Sequence, residues 1–156
     1  MLSILMYLFE RYITVETLMP APEQLTDELN EAGFRAHDID AAFRWLAELE
    51  EHRHTYLQPS DSSAYSHRIY TAREQQLVGA ANLAFLRFLH DHQLISGPTR
   101  ELILDRALAM GNQQPIDEED FRWLTLFVLT CQTQEREVPE WMEHLIFMDH
   151  HSETLH

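Results

Sequence analysis

Ten histidines, 26 carboxylates and a lone cysteine are the groups of this 156-residue chain best suited to chemistry, and their spacing limits what they can do. Six of the histidines fall in pairs: His52-x-His54, His90-x-His92 and His150-His151. On a helix, residues two apart point to different faces, so His90 and His92 cannot grip one ion together. His52 and His54 share a side only if that stretch is extended, and a third ligand would have to come from a remote position. The H-E-x-x-H spacing of zinc hydrolases is absent. The histidines read as solvated surface groups, and no metal site is expected. Cys131 excludes a disulfide framework and a cysteine-based structural zinc site within one chain. It lies in the apolar run Trp123 to Cys131, which predicts a small buried residue in place of a reactive thiol.

Other catalytic patterns fail for simpler reasons. Every one of the 11 basic residues is Arg, so Schiff-base, P-loop and general-base lysine chemistry is excluded. Four glycines, no two close in sequence, cannot build a phosphate-cradling loop, and neither G-x-G-x-x-G nor a Walker pattern occurs. G-x-S-x-G and S-x-x-K are also missing. Carboxylate pairs are so abundant that their presence discriminates nothing. The sequence therefore assigns no catalytic, cofactor-binding or metal residues and calls for no cofactor.

The formal net charge of −15 repels phosphate backbones and anionic membranes and suits docking to a basic protein surface. Residues 1–70 hold 12 acids against 5 Arg, and residues 71–156 hold 14 against 6, so neither half is a charged tail. The greasy opening Met1 to Phe9 lacks a positive leader and a cleavage site. No run reaches the roughly 18 apolar residues of a membrane span. A cytoplasmic location is expected.

These side chains must be held by helices. With 45% apolar residues and only 4 glycines, the chain affords a core and is poor in the turns a β-fold needs. Apolar spacing of three and four residues predicts helices over 2–14, 22–32, 36–50, 72–93, 98–110, from an N-cap at Asp117 through the Trp123–Cys131 run, and over 139–148. Gly33 and Phe34 form a stop signal between the second and third, making an αα corner. In the long fourth helix, Leu77, Ala81, Ala84, Phe85, Phe88 and Leu89 read as the buried face. The sixth is apolar nearly all round, which predicts a buried central helix. Residues 52–71 have loop composition and are the one candidate linker. Their ends, Thr55-Tyr56-Leu57 and Arg68-Ile69-Tyr70, are short enough and β-branched or aromatic enough to pair as a small wing.

The order helix, helix, tight turn, helix and wing predicts a mainly α fold. It divides into a winged-helix-like unit over 1–71 and a four-helix unit over 72–156, which can also be one continuous domain. In DNA-binding versions the third helix enters the major groove and needs basic or amide side chains there. Residues 22–50 instead carry eight acids and two Arg, a balance that opposes counterion release. The same rhythm also fits three-helix protein-binding domains.

One resemblance spans almost the whole chain. Met6-Tyr7-Leu8-Phe9-Glu10, Leu29 … Ala32-Gly33-Phe34, Ile39 … Ala42 … Trp45-Leu46 … Leu49, Arg68-Ile69-Tyr70-Thr71 with Glu74, Thr99-Arg100-Glu101 … Asp105-Arg106, Trp123 … Val128-Leu129 and Leu155-His156 together resemble the bacterial Smg protein family. The resemblance implies a protein of unassigned biochemical role. Its genes often neighbour one for a DNA-processing protein of natural transformation, a link to DNA metabolism by association alone. The leading expectation is a non-enzymatic interaction or regulatory module with a basic protein partner. It would be met by the acidic faces of the second and third helices and by Arg and aromatic residues around 52–71. The alternative is a nucleic-acid-associated accessory protein, for which Arg11, Arg35, Arg44, Arg53 and Arg68 would have to form one basic stripe.

Overall fold

The computed structural model describes residues 1–13, 20–56, 68–110 and 114–132. Among them are seven α-helices and one π-helical turn, and no strand. The helices are α1 (Leu2–Leu8), continued by the π turn Phe9–Ile13, α2 (Pro22–Glu31), α3 (Ala36–Tyr56), α4 (Ala72–Val78), α5 (Ala80–Asp91), α6 (Gly97–Leu108) and α7 (Glu118–Gln132). The mainly helical class follows. The helix expected over 139–148 lies outside the described residues.

Local chemistry accounts for most of the ends. Pro22 opens α2, where its missing N–H costs nothing. Gly33 then takes φ +92. Its N–H donates to Asn30 O and that of Phe34 to Leu29 O, the double bond of a Schellman stop. Ser96 caps α6 through Thr99 N, and Asp117 Oδ1 accepts from Glu119 N at the start of α7. Thr71 and Glu74 form a reciprocal capping box on α4.

α5 ends in the same Schellman pattern, with Gln93 at φ +59 where glycine is usual. Gln93 N donates to His90 O and Leu94 N to Leu89 O. A side chain in that left-handed well is strained. Gln93→Gly is therefore expected to raise stability by about 0.5–1 kcal/mol, read as a higher urea midpoint at unchanged slope.

The structure departs from the expected helix bounds and register at three places, and from the expected buried face of the fourth helix at Ala81, Ala84 and Phe88, which are exposed. The helix expected over 72–93 is broken at Gly79, whose φ of +87 and ψ of 152 belong to glycine alone. Asn82, buried one turn later, donates to both Val78 O and Ile116 O, each at 2.8 Å, and Ile116 N donates to Leu77 O. The break is thus braced by the segment before α7, a partner that no local pattern reveals. The third helix does not stop at 50. It runs to Tyr56, so Thr55 and Tyr56 are helical and not half of a wing, while Leu57 lies outside the described residues. The first helix changes to π-helix register at Phe9.

The core draws on every unit. α1 and α3 pack on each other and reach α7 and α6 respectively. α7 lies at the centre, with Phe121, Leu124, Thr125, Leu126, Phe127, Val128, Leu129 and Thr130 all buried, as its all-round apolarity predicts. Thr125 and Thr130 donate back to the carbonyls four residues earlier, so their hydroxyls enter the core satisfied. Phe9 meets Trp123 edge-on at 5.7 Å, and Trp45 meets Phe127 at 5.9 Å.

Candidate functional site

Three polar clusters and one charged surface carry the chemistry that the fold brings together. The deepest cluster lies between α3 and α6. Arg106 has only 3% of its side chain exposed, since it shares the inward face of α6 with Leu102 and Ile103. Its guanidinium donates to Asp105 Oδ2 at 2.8 Å, Glu48 Oε2 at 3.0 Å and Trp45 O at 3.2 Å. It also lies over the Trp45 ring, at 5.7 Å. Trp45 Nε1 returns a bond to Arg106 O at 3.0 Å. His52 Nδ1 approaches Asp105 Oδ2 at 3.0 Å. A buried cation is tolerable only when its donors are matched, and here backbone, carboxylates and an aromatic face do so.

The second cluster secures residues 68–71. Arg68 forms a two-pronged pair with Glu74, at 2.8 and 3.1 Å, and its Nε contacts Glu101 at 2.7 Å. Arg68 Nη1 reaches Ile69 O, and Gln75 Nε2 donates to Tyr70 O. The stretch expected to pair as a strand is therefore irregular and pinned by side chains, without a ladder partner among the described residues. Hydrogen bonding from Arg68 holds the Glu74 carboxyl below the ordinary range, against burial, which pushes it up; bonds from Thr71 add to the lowering. A depressed carboxyl stabilises the fold above its unfolded value and loses that contribution as pH falls through the folded one. Acidification below about 4.5 should thus erode stability more steeply in the parent chain than in Glu74→Gln. Urea midpoints over roughly pH 6 to 3 give the comparison, and equal slopes would refute it.

The third cluster is the more open clasp of α1 on α2. Tyr7 Oη donates to Glu28 Oε1 at 2.8 Å, Tyr12 donates to Glu28 Oε2, and Arg11 pairs with the same carboxylate. Tyr7 and Tyr12 are five residues apart and would diverge on an α-helix. The π turn returns them to one side.

The residues singled out in the sequence fall as follows. His52 joins the Arg106 cluster and is not merely solvated. His54 carries no described side chain, and His150 and His151 lie outside the described residues. His90 Nδ1 lies 3.7 Å from Asp91, while His92 Nδ1 bonds Phe88 O, so these two diverge. Among the described residues no three His, Cys, Asp or Glu gather closely enough to hold a metal. Cys131 packs at the core edge, and burial raises its thiol to about 12. Of the arginines required for a basic stripe, Arg11 pairs with Glu28, Arg35 with Asp38, Arg53 with Glu50 and Arg68 with Glu74 and Glu101; Arg44 is exposed. Outward on α2 and α3 stand the exposed acids Glu23, Asp27, Glu31, Asp40, Glu50 and Glu51.

Sequence reasoning gave Arg106 no buried role. The signal it missed was Arg106 at the third and fourth positions after Ile103 and Leu102, which puts it on the inward stripe of α6. Among the described residues no helix is long and apolar enough to cross a membrane.

Residues 1–156 match the family described as "Protein of unknown function (DUF494)". The chain is 38% identical over 157 aligned positions to the "Protein Smg homolog" of Thioalkalivibrio sulfidiphilus (strain HL-EbGR7), covering 99% of this chain and 97% of that protein. It is 37% identical over 152 positions to "Protein Smg" of Yersinia pseudotuberculosis serotype O:1b (strain IP 31758), covering 94% and 95%. The same figures hold for "Protein Smg" of Yersinia pestis. No solved structure matches the chain.

Proposed function

The chain belongs to the Smg family of proteins of unknown function, DUF494, and from that premise we propose that it is a non-enzymatic interaction or regulatory module of the cytoplasm. A basic surface of a partner protein docks on the outward acids of α2 and α3. The observation that carries this reading is where the arginines go. Four of the five that a nucleic-acid stripe would need lie against a carboxylate, Arg35 only at 3.9 Å from Asp38, whereas five acids of α2 and α3 stand exposed besides Glu50, the partner of Arg53. A surface of that sign attracts basic partners at a distance and sets their orientation more than their final affinity.

The polar clusters fit the same view. In each, the charged groups face one another between helices, consistent with positioning the frame and not with a reacting centre. The winged-helix-like arrangement of α1 to α3, with residues 72–156 as a second helical unit, belongs to this proposal as its architecture. The competing use of that unit, on nucleic acid, would require those arginines to leave their carboxylates.

The test is recovery of the tagged full chain from its own cells, with and without nuclease, followed by mass spectrometry. The expected result is one dominant protein with a basic surface that survives nuclease and is lost from a Glu23→Lys, Asp27→Lys, Glu31→Lys variant. Partners that vanish with nuclease would overturn the reading in favour of nucleic acid. Turnover of a defined substrate would overturn its non-enzymatic part.

A further inference from the structure

α5 turns to the core a face that its apolar spacing reads only in part. Its apolar spacing reads Ala81, Ala84 and Phe88 as buried, yet all three are exposed, Phe88 to 42%. The core takes Leu89, as the spacing reads, together with Asn82, Leu83 and Leu86, and Phe85 packs half-buried against it. Ala81, Ala84, Phe88 and His92 follow one another at three- and four-residue steps and are all exposed, so they form a continuous outward stripe, flanked by Phe85, which is half-buried against Phe121. The stripe is ordered: the Phe88 and His92 rings lie 4.1 Å apart, and the Arg122 guanidinium lies 5.5 Å from the Phe85 ring centre.

Charge narrows what can cover it. Residues 68–100 hold four Arg against two acids, while the rest of the chain holds seven Arg against 24 acids. Hence one segment is net +2 inside a chain of −15, and because its Arg68 and Arg100 pair with Glu101 just beyond its end, its surface is near neutral and not acidic. α5 itself carries only Arg87 and Asp91, both exposed and one turn apart. Two copies of so acidic a protein repel wherever their acids face each other, and α5 is a face where they need not. Its features are also self-complementary under a two-fold axis, as an isologous interface demands. An antiparallel pair centred on Phe88 sets Ala84 of each copy opposite His92 of the other, small against large. It also brings each Arg87 within reach of the other copy's Asp91. The alanines let the two helices approach closely.

We propose that the outward stripe of α5 binds a second copy of this chain in an antiparallel two-fold dimer centred on Phe88. The surface is separate from the acidic faces of α2 and α3, and the inference does not depend on their partner.

Sedimentation equilibrium of the full chain over roughly 1–300 µM tests it. The expected result is a concentration-dependent dimer. Phe88→Glu should weaken it by about 30-fold, the loss typical of a central aromatic anchor. Ala84→Arg, at a second exposed position, should weaken it as well. Arg87→Glu should also loosen the dimer, and adding Asp91→Arg should restore it, a rescue that general damage would not produce. Far-UV circular dichroism verifies that each variant remains helical. A parent chain that stays monomeric throughout would overturn the proposal and leave the stripe to a different partner. A dimer indifferent to Phe88→Glu and Ala84→Arg would overturn it by placing the interface elsewhere.

Discussion

Phe121→Ala is expected to cost about 3–5 kcal/mol, the largest loss from any single truncation considered. Phe121 is fully buried at the first inward turn of α7, with Phe85 edge-on at 6.5 Å. Truncation removes the transfer energy of the ring and leaves a void between α5 and α7, two helices that pack on each other. Rigid helices close such a void only in part, so the cavity term adds to the transfer term. A domain of this size has a net stability of about 5–15 kcal/mol, and the loss would consume much of it. Urea denaturation measures the effect. The contrasting control is Phe88→Ala, studied at a concentration low enough to exclude self-association. Phe88 is 42% exposed, and its loss should change monomer stability by about 0.5 kcal/mol or less. Two phenylalanines alike in sequence would then differ several-fold in effect. A Phe121→Ala midpoint near that of the parent chain would contradict the central placement of α7.

Arg106→Met is expected to cost about 2–4 kcal/mol. Methionine keeps much of the apolar stem, so the change isolates the guanidinium. Removing it strips a donor from the buried carbonyl of Trp45 and takes the cation from above the indole. Glu48 and Asp105 also lose their partner, but their side chains are 43% and 35% exposed and can rehydrate. For that reason the expectation falls below the full penalty of stranding a buried charge. Arg106→Lys should cost roughly 1–2 kcal/mol, because an ammonium keeps the charge but cannot span Asp105, Glu48 and Trp45 O at once. The order Met worse than Lys worse than Arg in urea midpoint is the signature of a structural hub. Equal midpoints for all three would show that α3 and α6 do not depend on the cluster.

These two side chains also mark how far a sequence can be read. Phe121 was legible. It sits in a run with no polar face, and such a helix has nowhere to go but the interior. Arg106 was not, because an arginine on an apolar stripe is buried only if another element brings acceptors to it. Glu48 and Trp45 lie 58 and 61 positions away in the chain. The same division holds for the charged surface. Composition alone gives an acidic chain hostile to phosphate, but only the folded arrangement matches Arg11 to Glu28 and Arg68 to Glu101.

What the sequence by itself determined was every feature whose cause lies within about one helical turn. The Gly33 stop needs only a residue free to take positive φ and the hydrophobic Phe34 after it. Asp117 and Ser96 start helices with their own side-chain oxygens. The absent lysines, the scarce glycines and the single cysteine restrict chemistry whatever the fold. Tertiary structure decided the rest, because the deciding contacts come from afar. Gly79 breaks the long helix because Ile116 and Asn82 brace the break. With α5 set apart from α4, its apolar residues exceed one face, and packing against α6 and α7 selects which stripe turns inward. Periodicity reports that α5 has apolar surface to bury; it does not report which neighbour arrives, so it named Leu89 correctly but put Ala81, Ala84 and Phe88 beside it where the core took Leu83 and Leu86.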